Sequence, residues 1–175
     1  MNMASKGQAS KGPKIHCAHD KMSPVDSLVE NPRNPNKHSP RQILLLSNII
    51  AGQGWRAPIV VSKRSGFVVA GHARLKAAKV LELQTVPVNV QPFESEADEW
   101  AHLIADNRIA ELAEMDTASL KDLLIRLDTG EINMELTGYD PEALNHLMEE
   151  LDGPERGARP IICPECKHEF SVKST

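Results

Sequence analysis

The sequence predicts an α+β protein: a small mixed sheet with flanking helices, followed by a separate helical segment. Three observations predict it. Two short β-branched runs, "APIVVS" and "FVVA", are separated only by "KRSG", which reads as a hairpin. A helix-forming stretch and a further β-branched run, "TVPVNV", follow within about 25 residues, the layout of a sheet-forming crossover. From Glu94 onward the apolar residues recur at helical spacing.

Each element follows from local chemistry. Residues 1–22, rich in Lys, Ser and Gly and without an apolar period, read as a disordered tail. "NPRNPNKHSP" is punctuated by prolines and asparagines and reads as an irregular loop. Next comes a helix that Ser39 caps, Pro40 opens, Gln42 completes as a capping box and Gly52 ends, with Ile43, Leu46, Ile49 and Ile50 as its buried stripe. After the hairpin, Gly71 opens a second helix that turns Leu75, Ala78 and Leu81 inward. Pro87 marks the following strand as an edge or as one that begins beside an edge. In "EADEWAHLIADNRIAELA" the stripe is Trp100, Leu103 or Ile104, Ile109 and Leu112, and Thr117 caps the next helix, which Gly130 closes. A last helix, "EALNHLMEEL", precedes the linker "DGPERGARP" and a small terminal unit. The expected divisions are thus 1–22, 23–116, 117–152 and 153–175.

Composition narrows the function. The chain has 175 residues, 41% hydrophobic and only 3% aromatic, so its core is aliphatic. No apolar run reaches the ~20 residues of a membrane span, and the opening lacks a secretory apolar centre. Cys17, Cys163 and Cys166 are too few for a disulfide framework and suit a reducing compartment, so the expectation is cytoplasmic and without a membrane partner. The net charge of −4 conceals a division: residues 1–93 carry 13 Lys and Arg against 4 acids, and residues 94–155 carry 3 against 18. An anion-binding half therefore lies before residue 94, and the acidic half is a poor nucleic-acid surface.

The residues that carry chemistry cluster at "GFVVAGHARLKAAKVL". A strand that passes through glycine into a helix start presents free backbone N–H groups and a positive dipole end to phosphate. Arg74 adds a two-pronged donor, His72 a hydrogen bond, and Lys76 and Lys79 positive field. On this motif alone, a glycine that merely turns a corner competes with the phosphate reading.

"NPRNPNKHS", "GWRAPIVV", "VVAGHARLKAAKVLELQTVPV" and "ADNRIAELAEMD" occur in an order and spacing that resemble the ParB N-terminal domain of the ParB/sulfiredoxin superfamily. The resemblance spans about residues 23–116, and the later helices look like those of ParB-like domains of phage and DNA-methyltransferase-associated type. By position, Gly71, His72, Ala73 and Arg74 match the family's "GERR" phosphate loop. Ala57, Pro58 and Ile59 match the "QPI" segment under the nucleotide, and Asn31, Pro32 and Arg33 the loop on its other side. Asp106 and Asn107 match the start of the "ENxxR" helix, an acid and an amide suited to magnesium. The resemblance implies a nucleoside triphosphate, CTP or ATP, with Mg, a homodimer, and DNA as a direct or indirect partner. There are departures: His72 and Ala73 replace an acid and an arginine, and Arg108 directly follows Asn107. The loop also lacks the cysteine of sulfiredoxin's "GCHR". Where ParB carries its DNA-reading helix-turn-helix, near residue 117, this chain has acidic helices.

Two further signals stand apart. "CPECKHEF" reads either as one knuckle of a zinc ribbon, with Cys163, Cys166 and His168 as ligands, or as a free dithiol. The "HCAH" group at 16–19 reads as polar tail. The resulting function is a triphosphate-dependent switch or accessory factor in DNA maintenance, phage or plasmid biology, or DNA modification. The alternatives are a metal-dependent triphosphatase or nuclease, with His72 as the candidate base, and a protein-binding adaptor without nucleotide. Trp55 and Trp100 read as packing residues.

Overall fold

A computed structural model describes residues 12–139, 141–152, 161–162 and 169–170. The chain enters β1 (Lys21–Pro24), passes through a 3-10 turn to β2 (Val29–Glu30), and then forms α1 (Pro40–Gln53), β3 (Ile59–Ser62) and β4 (Phe67–Ala70). There follow α2 (His72–Val80), β5 (Thr85–Gln91), α3 (Glu96–Glu111), α4 (Thr117–Leu127), a 3-10 turn at Met134–Thr137, and α5 (Pro141–Asp152). A separate two-stranded pair, β6 (Ile161–Ile162) and β7 (Glu169–Phe170), ends the described residues. The α+β expectation holds.

The main sheet has the order β1-β5-β3-β4-β2. The "KRSG" turn folds β4 back on β3 in antiparallel fashion, so the strand parallel to β5 is β3, with Ile59 beside Val88. This differs from a simple crossover: the short turn commits β4 to β3, and α2 then carries the chain over to the far side of β3.

Of the two places expected for β5, an edge or beside one, it takes the second, next to the edge strand β1. Met22 of β1 lies opposite Pro87, which is fully buried. Residues 12–22 therefore depart from the expected tail. Ile15 bridges to Trp55, the Trp55 N–H donates to the Lys14 carbonyl at 2.7 Å, and the His16 N–H donates to the Trp55 carbonyl at 2.9 Å. A polar sequence can be ordered this way because its backbone hydrogen bonds, rather than an apolar period, hold it to the sheet.

Gly54 explains why α1 ends two residues later than Gly52 suggested. It has φ +79°, and a Cβ there would collide with the Lys14 carbonyl oxygen, so only glycine permits the N-terminal segment to pass this close. Ser39 caps α1 as expected, accepting from the Gln42 N–H at 3.1 Å. The Gln42 side chain instead meets His38 Nδ1 at 3.1 Å rather than closing a capping box.

Ile43, Ile50, Trp55, Ile59, Val68, Leu75, Ala78, Val86 and Val88 form one core between α1, α2 and the sheet. The expected α3 stripe is only half realised. Leu103 is buried, but Ile104, Ile109 and Leu112 are exposed, because the second half of α3 runs past the sheet. Asp116 rather than Thr117 caps α4, accepting from the Ser119 N–H at 3.1 Å. The acidic segment then returns to α1, where Gln53 Nε2 donates to the Leu136 carbonyl at 2.7 Å.

Candidate functional site: a loop at the start of α2

Strand register brings three distant segments together. β2 runs parallel to β4 with Glu30 beside Val68, so Asn31 emerges next to the end of β4. Val60 lies opposite Ala70, which places Ile59 and Pro58 beside Gly71. Ile59 is fully buried in the core, and Pro58 is half-buried.

Gly71 itself is left-handed, with φ 91° and ψ 27°, at the cap of α2. The first intrahelical bond is that of the Leu75 N–H to the Gly71 carbonyl at 3.0 Å, so the N–H groups of His72, Ala73 and Arg74 precede the helical ladder. Arg74 folds back over the glycine: a Cβ at position 71 would lie 2.9 Å from both its Nε and Nη2. Burial pushes the Arg74 guanidinium below the usual arginine value, opposed chiefly by the charge of Asp106. The group remains cationic, as arginine does in proteins.

Two side-chain donors in this corner, Asn31 Nδ2 and Arg74 Nε, are buried and have no hydrogen-bond partner among the described residues. Asn31 is only 5% exposed, and its other atoms hold the loop in shape. Its Oδ1 accepts the Arg33 N–H at 2.9 Å, and its own N–H donates to His72 Nε2 at 3.4 Å.

His72 therefore faces inward. Burial lowers its pKa, with Glu30 opposing and His38 and Lys76 assisting. The neutral ring accepts from Asn31 at Nε2. Its side chain braces the Asn31 loop, and its backbone N–H lies in the first turn of α2. Arg33 is exposed, its Cζ 4.2 Å from the centroid of the Trp100 ring. This is a cation–π contact. Trp55, by contrast, is a core residue. Lys76 and Lys79 are both paired with Glu30, at 3.3 and 3.8 Å.

Among the candidate magnesium ligands, Asp106 is exposed on α3 with its charge felt at Arg74. Asn107 donates from Nδ2 to the Leu103 carbonyl at 3.0 Å, which leaves its Oδ1 as an oxygen donor. One carboxylate and one amide oxygen fit a magnesium ion that takes its remaining ligands from phosphate and water. Arg108 pairs along the helix with Glu111 at 2.9 Å. Cys163, Cys166 and His168 lie outside the described residues. Among the described residues no group of three His, Cys, Asp or Glu side chains is arranged to hold a metal, and no helix is long and apolar enough to cross a membrane.

Sequence reasoning missed three contributors. Cys17 packs against the core and lies near Arg74, whereas a polar tail predicted no contact. Glu30 holds both lysines of α2. Glu99 is almost fully buried. Only the last left a trace in the sequence: an acid spaced four residues before Leu103 on the inward stripe.

The family profile described as the ParB N-terminal domain matches residues 9–108. The chain is 34% identical over 67 residues to the ParB-like nuclease domain-containing protein YnaK of Escherichia coli K12, covering 38% of this chain and 76% of that protein. Its structure is similar to the C-terminally truncated chromosome-partitioning protein ParB of Caulobacter crescentus complexed with CTP-gamma-S. The TM-score is 0.62 at 23% identity, over 77% of this chain and 79% of that one. The same Caulobacter protein complexed to the centromeric parS site gives a TM-score of 0.43 at 22% identity, over 78% and 74%. With the profile covering more than half of the sequence and the mixed sheet and its helices matching in space, the chain belongs to the ParB N-terminal domain family.

Proposed function

We propose that this chain binds a nucleoside triphosphate, CTP or ATP, with magnesium at the Gly71–Arg74 turn, and that binding acts as a switch in DNA maintenance, phage or plasmid biology, or DNA modification. One observation carries the reading: Asn31 Nδ2 and Arg74 Nε, two buried and unpartnered donors, flank a left-handed glycine at a helix start. Buried polar groups are nearly always paired. Both orphans donate and neither accepts, so the complementary ligand is an acceptor, and the guanidinium favours an anionic one. The Caulobacter relative, similar in fold and complexed with CTP-gamma-S, supports a nucleotide as that anion.

In this reading the N–H groups of His72, Ala73 and Arg74 and the Arg74 side chain hold phosphate. Asn31 donates from the opposite wall, Arg33 supplies a second cation, and Pro58 and Ile59 form the floor. Asp106 and Asn107 would hold magnesium, which when bound neutralises phosphate charge. The ligand thereby joins the Asn31–Arg33 loop to α3, and the form in which the two are joined gains population. A second copy of the chain and DNA, met directly or through a partner, are the proposed recipients of that change. His72 serves as a brace, since its Nε2 is already used by Asn31; a hydrolytic role as base is not favoured.

Calorimetric titration with CTP, ATP and GTP, with and without magnesium, tests the reading. Binding of one nucleotide is expected, and Arg74→Ala should weaken it about ten- to hundred-fold, the scale of a charge-assisted hydrogen bond. No heat with any nucleotide, or equal affinity in Arg74→Ala, would reject it.

A further inference from the structure

A buried carboxylate on α3 lies outside the phosphate corner yet organises its neighbours. Glu99 is 1% exposed and accepts hydrogen bonds from Ser62 Oγ and Ser65 Oγ, each at 2.7 Å, and from Arg64 Nε at 3.2 Å. The hydroxyls are themselves fixed. Ser62 Oγ accepts the N–H groups of Arg64 and Ser65 at 3.1 and 3.2 Å, and Ser65 Oγ accepts that of Phe67 at 3.2 Å. One charge thus closes the β3–β4 turn and ties it to α3. Burial disfavours that charge, but hydrogen bonds from Ser65 and Ser62 and the charge of Arg64 outweigh it and hold the carboxyl below the usual glutamate value.

An apolar side chain would pack the same position without desolvating an ion, so packing alone does not call for this arrangement. What the carboxylate adds is direction. Hydrogen bonds fix the rotation of a helix about its axis and its height along it, whereas apolar contacts are non-directional. The residues that depend on that setting are in the candidate site. Trp100, the next residue, lies about 100° around the helix, and its ring carries Arg33. Leu103 follows one turn later, buried on the Glu99 side, and Asp106 two turns later, where its charge reaches Arg74.

We infer that Glu99 is a positioning residue for the phosphate corner: anchored in the β3–β4 turn, it sets α3 so that Trp100 holds Arg33 and Asp106 faces Arg74. The inference rests on the nucleotide-binding reading for what the corner takes, but its geometry is independent of the ligand's identity. It makes the β3–β4 turn, which touches no proposed ligand, a determinant of affinity.

The test uses the full chain labelled with 5-fluorotryptophan, which gives one fluorine resonance for Trp55 and one for Trp100, assigned with Trp100→Phe. Glu99→Ala is expected to move the Trp100 resonance while leaving that of Trp55 in place, and to weaken CTP binding about ten-fold or more. Ser65→Ala, which removes one of the hydrogen bonds, should do both to a smaller degree and carries the test if Glu99→Ala does not fold. Leu124→Ala, at the buried position of α4, controls for general loosening: it should lower the melting temperature without changing CTP affinity. The inference is overturned if the variants bind CTP within two-fold of the parent, if the Trp100 resonance stays put, or if both tryptophans move together. Should the parent bind ATP rather than CTP, the same variants are titrated with ATP; should it bind no nucleotide, the nucleotide reading falls, and the fluorine spectra alone still decide whether Glu99 sets Trp100.

Discussion

Replacing Gly71 by alanine perturbs two things that can be separated. The backbone at φ 91° is left-handed, and an added Cβ would stand 2.9 Å from Arg74 Nε and Nη2. A non-glycine residue in that conformation costs about 1–2 kcal/mol, which for a chain of this size lowers the melting temperature by roughly 2–8 °C. The contact adds a second effect, because Arg74 must leave its place over the loop and its hydrogen bonding to an anion is lost, about 1.5–3 kcal/mol or some ten- to hundred-fold in affinity.

Gly138 separates the two effects. It has the same φ of 91°, after the 3-10 turn at Met134–Thr137 and away from the loop, and a Cβ there would meet nothing within 4 Å. Thermal unfolding by circular dichroism and CTP titration are therefore run on Gly71→Ala and Gly138→Ala together. Both should melt earlier by a comparable amount, and only Gly71→Ala should lose affinity. Equal CTP affinity in the two variants would refute the placement of Arg74 as an anion ligand. An unchanged melting temperature in both would refute the strain argument.

Three further outcomes are expected. Gly54→Ala should destabilise by more than 2 kcal/mol, because strain at positive φ is joined by a collision between two backbone segments that cannot rotate away; chemical denaturation measures it, and a loss under 1 kcal/mol would contradict the close passage of residues 14–16. His72 has a folded pKa below its unfolded value of 6.5, so its contribution to stability is complete above that value and is lost as pH falls through the folded pKa. The slope of stability between pH 5 and 7 should flatten in His72→Gln, and an unchanged slope counts against the buried neutral ring. Arg33→Ala should shift the Trp100 emission and reduce stability by less than about 1 kcal/mol, the value of an exposed cation–π pair; an unaltered spectrum would dispose of the stacking.

The sequence by itself determined the local pieces. β-branched runs around "KRSG" fixed the hairpin, Ser39 and Pro40 fixed the start of α1, and a glycine between "FVVA" and a helix former fixed the strand-to-helix corner at Gly71. These features depend on a residue's own conformational preferences and its neighbours within a turn, which a linear string records. The family was legible for the same reason, since several local motifs recur in a fixed order. Only the tertiary structure decided what depends on register and on how far an element extends beyond its support. The pairing of β2 with β4 delivers Asn31 to Gly71 across 40 residues of chain, and β1 decides that the strand of Pro87 lies beside an edge rather than at one. The helical period of α3 promised burial for Ile109, yet the sheet ends first and leaves it 67% exposed. Glu99 shows the same dependence from the other side. An acid reads as a surface residue until three donors from a turn 34 to 37 residues away surround it. Periodicity states which side of a helix is apolar, but it does not state whether another surface arrives to meet that side.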